Sequence, residues 1–174
     1  MRFLRPTLLC LALASLSAPA LAADTTTFNV KIIITKACTI TAAAATDVDF
    51  GSALSTATTP TTAQGTITAQ CSALTPYTIA LNAGSNAGTA NDVTTRRMKN
   101  TNVAVTTNNF IGYQLYQDVG HISVWGATTG TNTVAGIGTG LAVPYNVFGQ
   151  IANLSVNNAA TGNYQDTVTA TISY

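Results

Sequence analysis

The sequence predicts an all-β domain, either a sandwich or a barrel, on three observations. Thr, Val, Ile and Tyr, which favour strands, are abundant, whereas charged residues make up only 7% of the chain. Short segments alternate apolar and polar residues with the period of two that half-buried strands require. Stretches rich in Gly, Asn and Thr separate these segments, and no stripe of helical period follows the first 22 residues. The remaining length of about 150 residues suits one domain with its own core.

Residues 1–22 have the pattern of a secretory signal peptide. Arg2 and Arg5 supply a positive start, Leu8 to Leu16 a short apolar core, and Ala20-Leu21-Ala22 a cleavage site. The mature chain is therefore expected to begin at Ala23. The apolar core is too short for a spanning helix, and no later stretch reaches the required ~20 apolar residues. We expect an exported protein with no membrane span after cleavage.

Removal of the signal would leave two cysteines, Cys38 and Cys71, because Cys10 lies within the signal. An even pair in an exported chain favours a disulfide, and the alternative is two buried thiols. Closing a loop of this size would stabilise the fold by about 3.5–4 kcal/mol. Two cysteines without nearby histidines are too few for a structural zinc site, so no metal or other cofactor is expected.

The alternating segments are the predicted strands. In chain order, their apolar positions are Phe28, Val30, Ile32 and Ile34; Ile67, Ala69 and Cys71; Tyr77, Ile79 and Leu81; Ile111, Tyr113 and Leu115; Val143, Tyr145 and Val147; and Val168, Ala170, Ile172 and Tyr174. Residues 82–91, 126–140 and 157–163 are predicted connections. The first and last strands each have an apolar face that needs cover. Either the two pair within one molecule, or the first strand fills a groove in a neighbour.

The charged residues exclude several classes of function. Seven Lys and Arg residues stand against six acidic ones, and their only cluster, Arg96-Arg97-Met98-Lys99, is interpreted as a solvated turn. This is no basic footprint for nucleic acid. Asp47 and Asp49 alternate around Val48, and we interpret them as outward residues of a strand.

Catalytic patterns are weak as well. His121 is the single histidine and could act only in a catalytic triad such as Ser-His-Asp, with the nearby Asp118 as the residue that orients it. A solvated turn beside Gly120 is the better interpretation, and no catalytic residue is assigned. Residues 136–140 carry three glycines but no lysine, so they do not form a phosphate loop. Trp125 could be a sugar platform, but the edge of the core is favoured.

Several short motifs occur in the order found in one known family. These are Cys38-Thr39-Ile40, Asp49-Phe50-Gly51, Gly65 to Cys71, Tyr77 to Leu81, Gly84, Arg96-Arg97-Met98, Tyr113 to Asp118, Trp125-Gly126, Val147 to Ile151, and Gly162 to Val168. The chain thereby resembles the spore coat protein U domain family, which includes the pilins of archaic chaperone–usher pili. The resemblance covers nearly all of the mature chain. It departs at Ala152, where the family often has proline, and in the long Gly/Thr segment after Trp125.

The resemblance implies an immunoglobulin-like β-sandwich that lacks its last strand and is completed by a donor strand. Residues 23–34 would be the donor segment, with Phe28, Val30, Ile32 and Ile34 as plugs, and residues 35–174 the sandwich. Val168, Ala170, Ile172 and Tyr174 would border the groove and contact a chaperone. The implied partners are a periplasmic chaperone, an outer-membrane usher and neighbouring pilins, which add strands to the groove in turn.

The function expected from this resemblance is a structural subunit of a surface pilus, in adhesion and biofilm formation, and not an enzyme. It would reach the cell surface through the periplasm. Two alternatives remain open. The chain could be a self-complemented coat protein whose first strand fills its own groove, or a tip adhesin that binds a surface or a glycan.

Overall fold

The computed structural model describes residues 24–42 and 47–174, so the predicted signal peptide and the first donor residue, Ala23, lie outside the described part. The chain divides between Ile33 and Ile34 into two units. Within residues 24–33 the structure assigns no helix or strand, and the side chains are exposed. The second unit contains every strand.

Within residues 24–42 and 47–174, ten strands form three antiparallel sheets. They are β1 (Cys38–Thr41), β2 (Thr61–Cys71), β3 (Pro76–Leu81), β4 (Arg97–Asn100), β5 (Phe110–Gly112), β6 (Gln114–Tyr116), β7 (Val134–Ile137), β8 (Ala142–Ile151), β9 (Tyr164–Gln165) and β10 (Ala170–Ser173). The sheet orders are β1-β2-β8-β6, β10-β3-β7 and β5-β4-β9. In the described ranges the only helical segments are two short 3-10 turns, Val93–Thr95 and Ser155–Asn157. The all-β prediction is confirmed.

The core consists of the inward positions of these strands. The alternating residues of β2, β3 and β8 are buried on one side and exposed on the other, as their period of two requires. Trp125 and Ile79 are fully buried at the centre, and the Trp125 indole N–H donates to the Ile79 carbonyl at 3.0 Å. A buried indole needs such a partner, so this bond holds Trp125 in the core and confirms the preference for core over sugar platform.

A disulfide joins Cys38 and Cys71, which lie opposite each other in the β1–β2 ladder and 33 residues apart in sequence. Because the bridge ties the edge strand β1 to the long strand β2, it fixes one border of the sandwich. By closing this loop, the bridge is expected to stabilise the folded state by about 3.5–4 kcal/mol.

Three sequence-based interpretations of the strands and turns within the sheets are wrong. The strand predicted over residues 111–115 is two strands, since β5 pairs with β4 and β6 pairs with β8, and the chain changes sheets at Tyr113. The connection predicted at residues 126–140 contains β7, which pairs with β3. The turn predicted at residues 96–99 contains β4, and Arg96 is only 2% exposed. In each case backbone pairing with a distant strand outweighs the local composition.

Candidate functional site: an apolar groove between two strand edges

A groove of about 670 Å³ opens between β1 and β10. Both are edge strands, because β1 pairs only with β2 and β10 pairs only with β3. An edge strand presents N–H and C=O groups that a further strand can pair with. The groove therefore lies beside two strand edges with which a further strand could pair.

The walls of the groove are mainly apolar. β1 contributes Ile40, β2 Ile67, β3 Leu81 and β8 Val147, and Val168 and Ala170 come from the last segment. The remaining apolar wall residues are Val48, Phe50, Met98, Tyr113, Leu115 and Tyr164. Ile67, Leu81 and Val147 are buried at the floor, whereas Ile40 and Val168 are half-exposed at the sides. Apolar side chains left half-exposed beside two strand edges are typical of a surface that another segment covers.

The segment from Asp47 to Phe50 forms part of one wall without joining a sheet. Val48 and Phe50 turn inward, and Asp47 and Asp49 are exposed, so the predicted alternation is present but the predicted strand is not. Val48 and Phe50 lie over Gly149 of β8, where any side chain would collide with both of them. Phe50 also meets the Tyr113 ring edge-on at 6.5 Å between centroids. Because Gly149 has no side chain, Val48 and Phe50 can pack directly against β8.

One carboxylate, Asp166, lies in the groove and is held by neutral donors. It accepts from the Tyr113 hydroxyl at 2.7 Å and from the Asn86 backbone and side-chain N–H groups at 3.0 Å each. It also lies against Gly84, whose φ of +84° and lack of a side chain leave room for the carboxylate. Burial, followed by the bond to Asp166, raises the pKa of Tyr113, so that residue stays protonated and continues to donate.

Arg96, which does not line the groove, ties β3 to β6. Its guanidinium donates to the carbonyls of Leu81 and Asn82, at 3.0 Å and 2.7 Å, and to Gln114 Oε1 at 2.6 Å. Burial lowers the pKa of Arg96 to about 10, and the nearby Tyr113 and Asp166 partly offset that effect. A planar group with several donors suits this position, since it satisfies three acceptors at once. The charged residues at 96–99 by themselves predict a solvated turn, although the alternation of Arg96 with Met98, a groove residue, is the pattern of a strand.

The residues predicted to border the groove fall in two places. Val168 and Ala170 line the groove, and Ile172 packs against the core at its side. Tyr174 is 58% exposed and lies with Pro76 and Ile137 in a separate shallow hollow. The alternation that carries Val168 and Ala170 extends back to Tyr164 and Asp166, so the same signal could have found those two wall residues.

The four predicted plug residues are exposed. Phe28 is 84%, Val30 88%, Ile32 84% and Ile34 81% exposed, and Ile33 between them is 90% exposed. Large apolar side chains are rarely displayed in such a run on a soluble protein. The segment therefore displays a run of apolar side chains that the described part of the chain leaves uncovered.

The single histidine, His121, lies in a turn of the described part of the chain. Its φ is positive, at 56°, and its ring lies edge-on to Tyr116 and Phe148. No group of three His, Cys, Asp or Glu side chains comes together within residues 24–42 and 47–174 as metal ligands would. In the same ranges, no helix has the length and apolar character to cross a membrane.

Comparison with known proteins agrees with this geometry. The model of the Spore Coat Protein U domain matches residues 24–171. "Protein U" of Myxococcus xanthus is 36% identical over 112 residues, which cover 63% of this chain and 59% of that protein. Among solved structures, a chain of the CsuC–CsuE chaperone–tip adhesion subunit pre-assembly complex, from archaic chaperone–usher Csu pili of Acinetobacter baumannii, aligns with a TM-score of 0.55 and 25% identity.

The structural match covers 81% of this chain but 40% of the Csu chain, and the match to Protein U spans about three-fifths of that relative. The chain therefore spans less than two thirds of the length of each of these two relatives. Residues 24–171, which the family model matches, contain the cysteine pair, β1 and all the residues that line the groove. The alignment over residues 24–171, the all-β sheets and the groove together establish that this chain belongs to the spore coat protein U domain family.

Proposed function

We propose that this protein is a structural subunit of a chaperone–usher pilus that polymerises by donor-strand exchange. The observation that carries the proposal is the apolar groove between β1 and β10, found in a chain that also displays an alternating apolar segment at residues 28–34. In such a pilus, the segment of one subunit occupies the groove of the next.

The energetics favour strand addition. Burying each of the four plug side chains would contribute about 1.5–3 kcal/mol, or about 6–12 kcal/mol together, before the ordering cost is subtracted. Backbone pairing with β1 and β10 would add to this, since both present unpaired edges. A chaperone strand in the same groove would protect the subunit before assembly, because an exposed apolar edge invites aggregation.

The chain between the plugs and β1 argues against filling its own groove. A segment that reversed beside β1 would need a tight turn within residues 33–37. Those residues are Ile33, Ile34, Thr35, Lys36 and Ala37, none of which is among the Gly, Pro, Asn, Asp and Ser that dominate such turns. Two β-branched isoleucines in sequence favour an extended chain. This favours a pilus subunit over the self-complemented coat protein.

The burial of Trp125 argues against a tip adhesin that binds through this side chain. A ligand platform made by Trp125 itself would need an exposed ring, but Trp125 is 1% exposed. The tip adhesin would rest instead on Val119 and Ile122 of the preceding loop, which are 75% and 83% exposed. For a pilus subunit, adhesion and biofilm formation would be properties of the assembled fibre.

The test compares two double variants of the complete sequence. Phe28→Asp with Ile32→Asp places two charges on the face expected to enter the groove. Asn29→Lys with Ile33→Lys places two charges on the opposite face of the same segment, with a sign opposite to that of the acidic side chains in the groove lining. The secreted protein is run on a denaturing gel with and without boiling, beside wild type and a deletion of residues 23–32.

We expect wild type and the Asn29/Ile33 variant to form a ladder of multimers that collapses only on boiling. The Phe28/Ile32 variant and the deletion should give monomer alone. Wild-type ladders from the Phe28/Ile32 variant would overturn the donor assignment. A folded, soluble monomer from the wild type would favour the self-complemented coat protein.

A further inference from the structure

All charged side chains that line the groove are acidic. Asp47, Asp49 and Asp166 belong to its lining, and no Lys or Arg from the described ranges does. Asp166 is already engaged by Tyr113 and Asn86. Asp47 and Asp49 are exposed, with their inward neighbours Val48 and Phe50 in the wall. These two carboxylates therefore form the solvent-facing rim of the groove, above an apolar interior.

The exposed N-terminal segment carries the opposite charge at one position. Lys31 is the only charged residue among residues 25–34, and it falls between the plug residues Val30 and Ile32. In a strand whose even-numbered plugs point inward, Lys31 points outward. It would then stand on the same side as Asp47 and Asp49.

Apolar alternation alone does not set the register of this strand. A slip of one residue turns the plugs outward and is strongly disfavoured. A slip of two residues still places large apolar side chains in the groove, because Phe28, Val30, Ile32 and Ile34 are all apolar. A single outward charge facing a charged rim distinguishes these otherwise similar registers.

We infer that the occupant of the groove is the N-terminal segment of a second copy of this chain, and that Lys31 of that copy pairs with Asp47 and Asp49 at the rim. This inference rests on the proposed function. Neighbouring strands bring long side chains within reach of directly opposite and diagonal partners. The pairing selects one register and accelerates docking, since complementary charges act more on specificity and association rate than on affinity.

The experiment uses the full mature chain and follows multimer formation by size-exclusion chromatography during refolding. The variants are Lys31→Glu, Asp47→Lys with Asp49→Lys, and the combination of all three. Lys99→Glu is the matched control, because Lys99 is exposed on β4 and does not line the groove. Each variant is measured at ionic strengths of about 0.01 M and 1 M, where the screening length is about 30 Å and 3 Å.

At low ionic strength we expect Lys31→Glu to slow multimer formation about tenfold or more, as steering by complementary charge predicts. The combined variant should return to within about threefold of wild type, because its charges are again opposite. Lys99→Glu should match wild type, and its combination with the two lysine substitutions should show no rescue. At high ionic strength the variants should converge.

A second variant covers the case in which the lysine substitutions prevent folding. Asp47→Asn with Asp49→Asn removes both charges but keeps an acceptor oxygen for the Gly51 N–H, which Asp49 Oδ1 accepts at 2.8 Å. It should multimerise more slowly than wild type at low ionic strength and lose most of the wild-type salt dependence.

Three outcomes overturn the inference. Wild-type rates from both Lys31→Glu and the asparagine variant, with multimers still lost in Phe28→Asp/Ile32→Asp, would remove the charge pairing and leave the proposed function standing. A folded monomer whose stability falls with Lys31→Glu would place the chain's own segment in the groove. Multimers that persist in Phe28→Asp/Ile32→Asp would remove the proposed function and the inference together.

Discussion

The sandwich has two sides that differ in how completely they are packed. On the closed side, around Trp125, Ile79 and Arg96, the side chains are at most 2% exposed and their polar atoms are hydrogen-bonded. On the open side, the groove walls Ile40 and Val168 remain half-exposed between two strand edges. The closed side supplies the stability of the isolated domain. The open side keeps apolar walls that, in the proposed assembly, a segment of another copy would cover.

The largest expected effect tests the closed side. Trp125→Ala removes a fully buried indole and its bond to Ile79, so the free energy of unfolding should fall by about 3–5 kcal/mol. Denaturant unfolding of the monomer measures this. Leu74→Ala, at a side chain 86% exposed, is the control and should stay within about 0.5 kcal/mol. A loss below about 1 kcal/mol for Trp125→Ala would contradict the description of this side as closed.

The second effect tests the buried cation. Arg96→Lys keeps the charge but cannot satisfy Leu81, Asn82 and Gln114 together, and an unpaired buried acceptor costs about 1–3 kcal/mol. The free energy of unfolding should fall by that amount. Arg97→Lys is the control, because Arg97 is only half-buried and stacks on Phe110 at 3.8 Å. An equal or larger loss in Arg97→Lys would show that Arg96 does not tie the strands as described.

The third effect separates the two sides directly. Val168→Ala trims a half-exposed groove wall, so it should cost the isolated domain less than about 1 kcal/mol, below the usual cost of a fully buried position. In multimers the same side chain would be covered, so they should dissociate at a lower temperature than wild-type multimers. Gel stability over a temperature series measures this. Equal effects on monomer and multimer would mean that the groove stays open in the assembly.

The smallest effect is a pH dependence on the closed side. Burial, followed by the bond to Tyr77 (2.6 Å between hydroxyl oxygens), raises the pKa of Tyr145 to about 12. A raised pKa in the folded state contributes stability that is present below pH 10 and is lost as pH rises towards 12. Arg96, with its lowered pKa, acts in the opposite direction. Between pH 10 and 12, the melting temperature of Tyr145→Phe should therefore fall by less than the melting temperature of the wild type. An unchanged or steeper loss would contradict this.

The sequence predicted the features that depend on local pattern. The alternation in β2, β3, β8 and β10 identified their buried faces, because a strand exposes every second residue whatever its partner. The cysteine pair predicted the bridge between β1 and β2, since an exported chain with two cysteines favours a disulfide. The order of the short motifs along the chain indicated the family.

Features that depend on distant partners required the tertiary structure. β7 lies in a Gly- and Thr-rich stretch with little strand character, and it forms because the edge of β3 is available to pair with it. The change of sheet at Tyr113 depends on β4 and β8, which pair with the residues on either side. Arg96 can be buried because its guanidinium donates to the carbonyls of Leu81, at the end of β3, and of Asn82.

By itself, then, the sequence determined the all-β class, the disulfide and the apolar faces of the main strands, because these follow from residue periodicity and covalent chemistry. The tertiary structure decided where the groove lies and what lines it. A groove is the space between elements, and Val48, Phe50, Met98 and Tyr164 become its walls only when β1 and β10 are placed as separate edges. No local pattern encodes a gap between strands that lie more than a hundred residues apart in the chain.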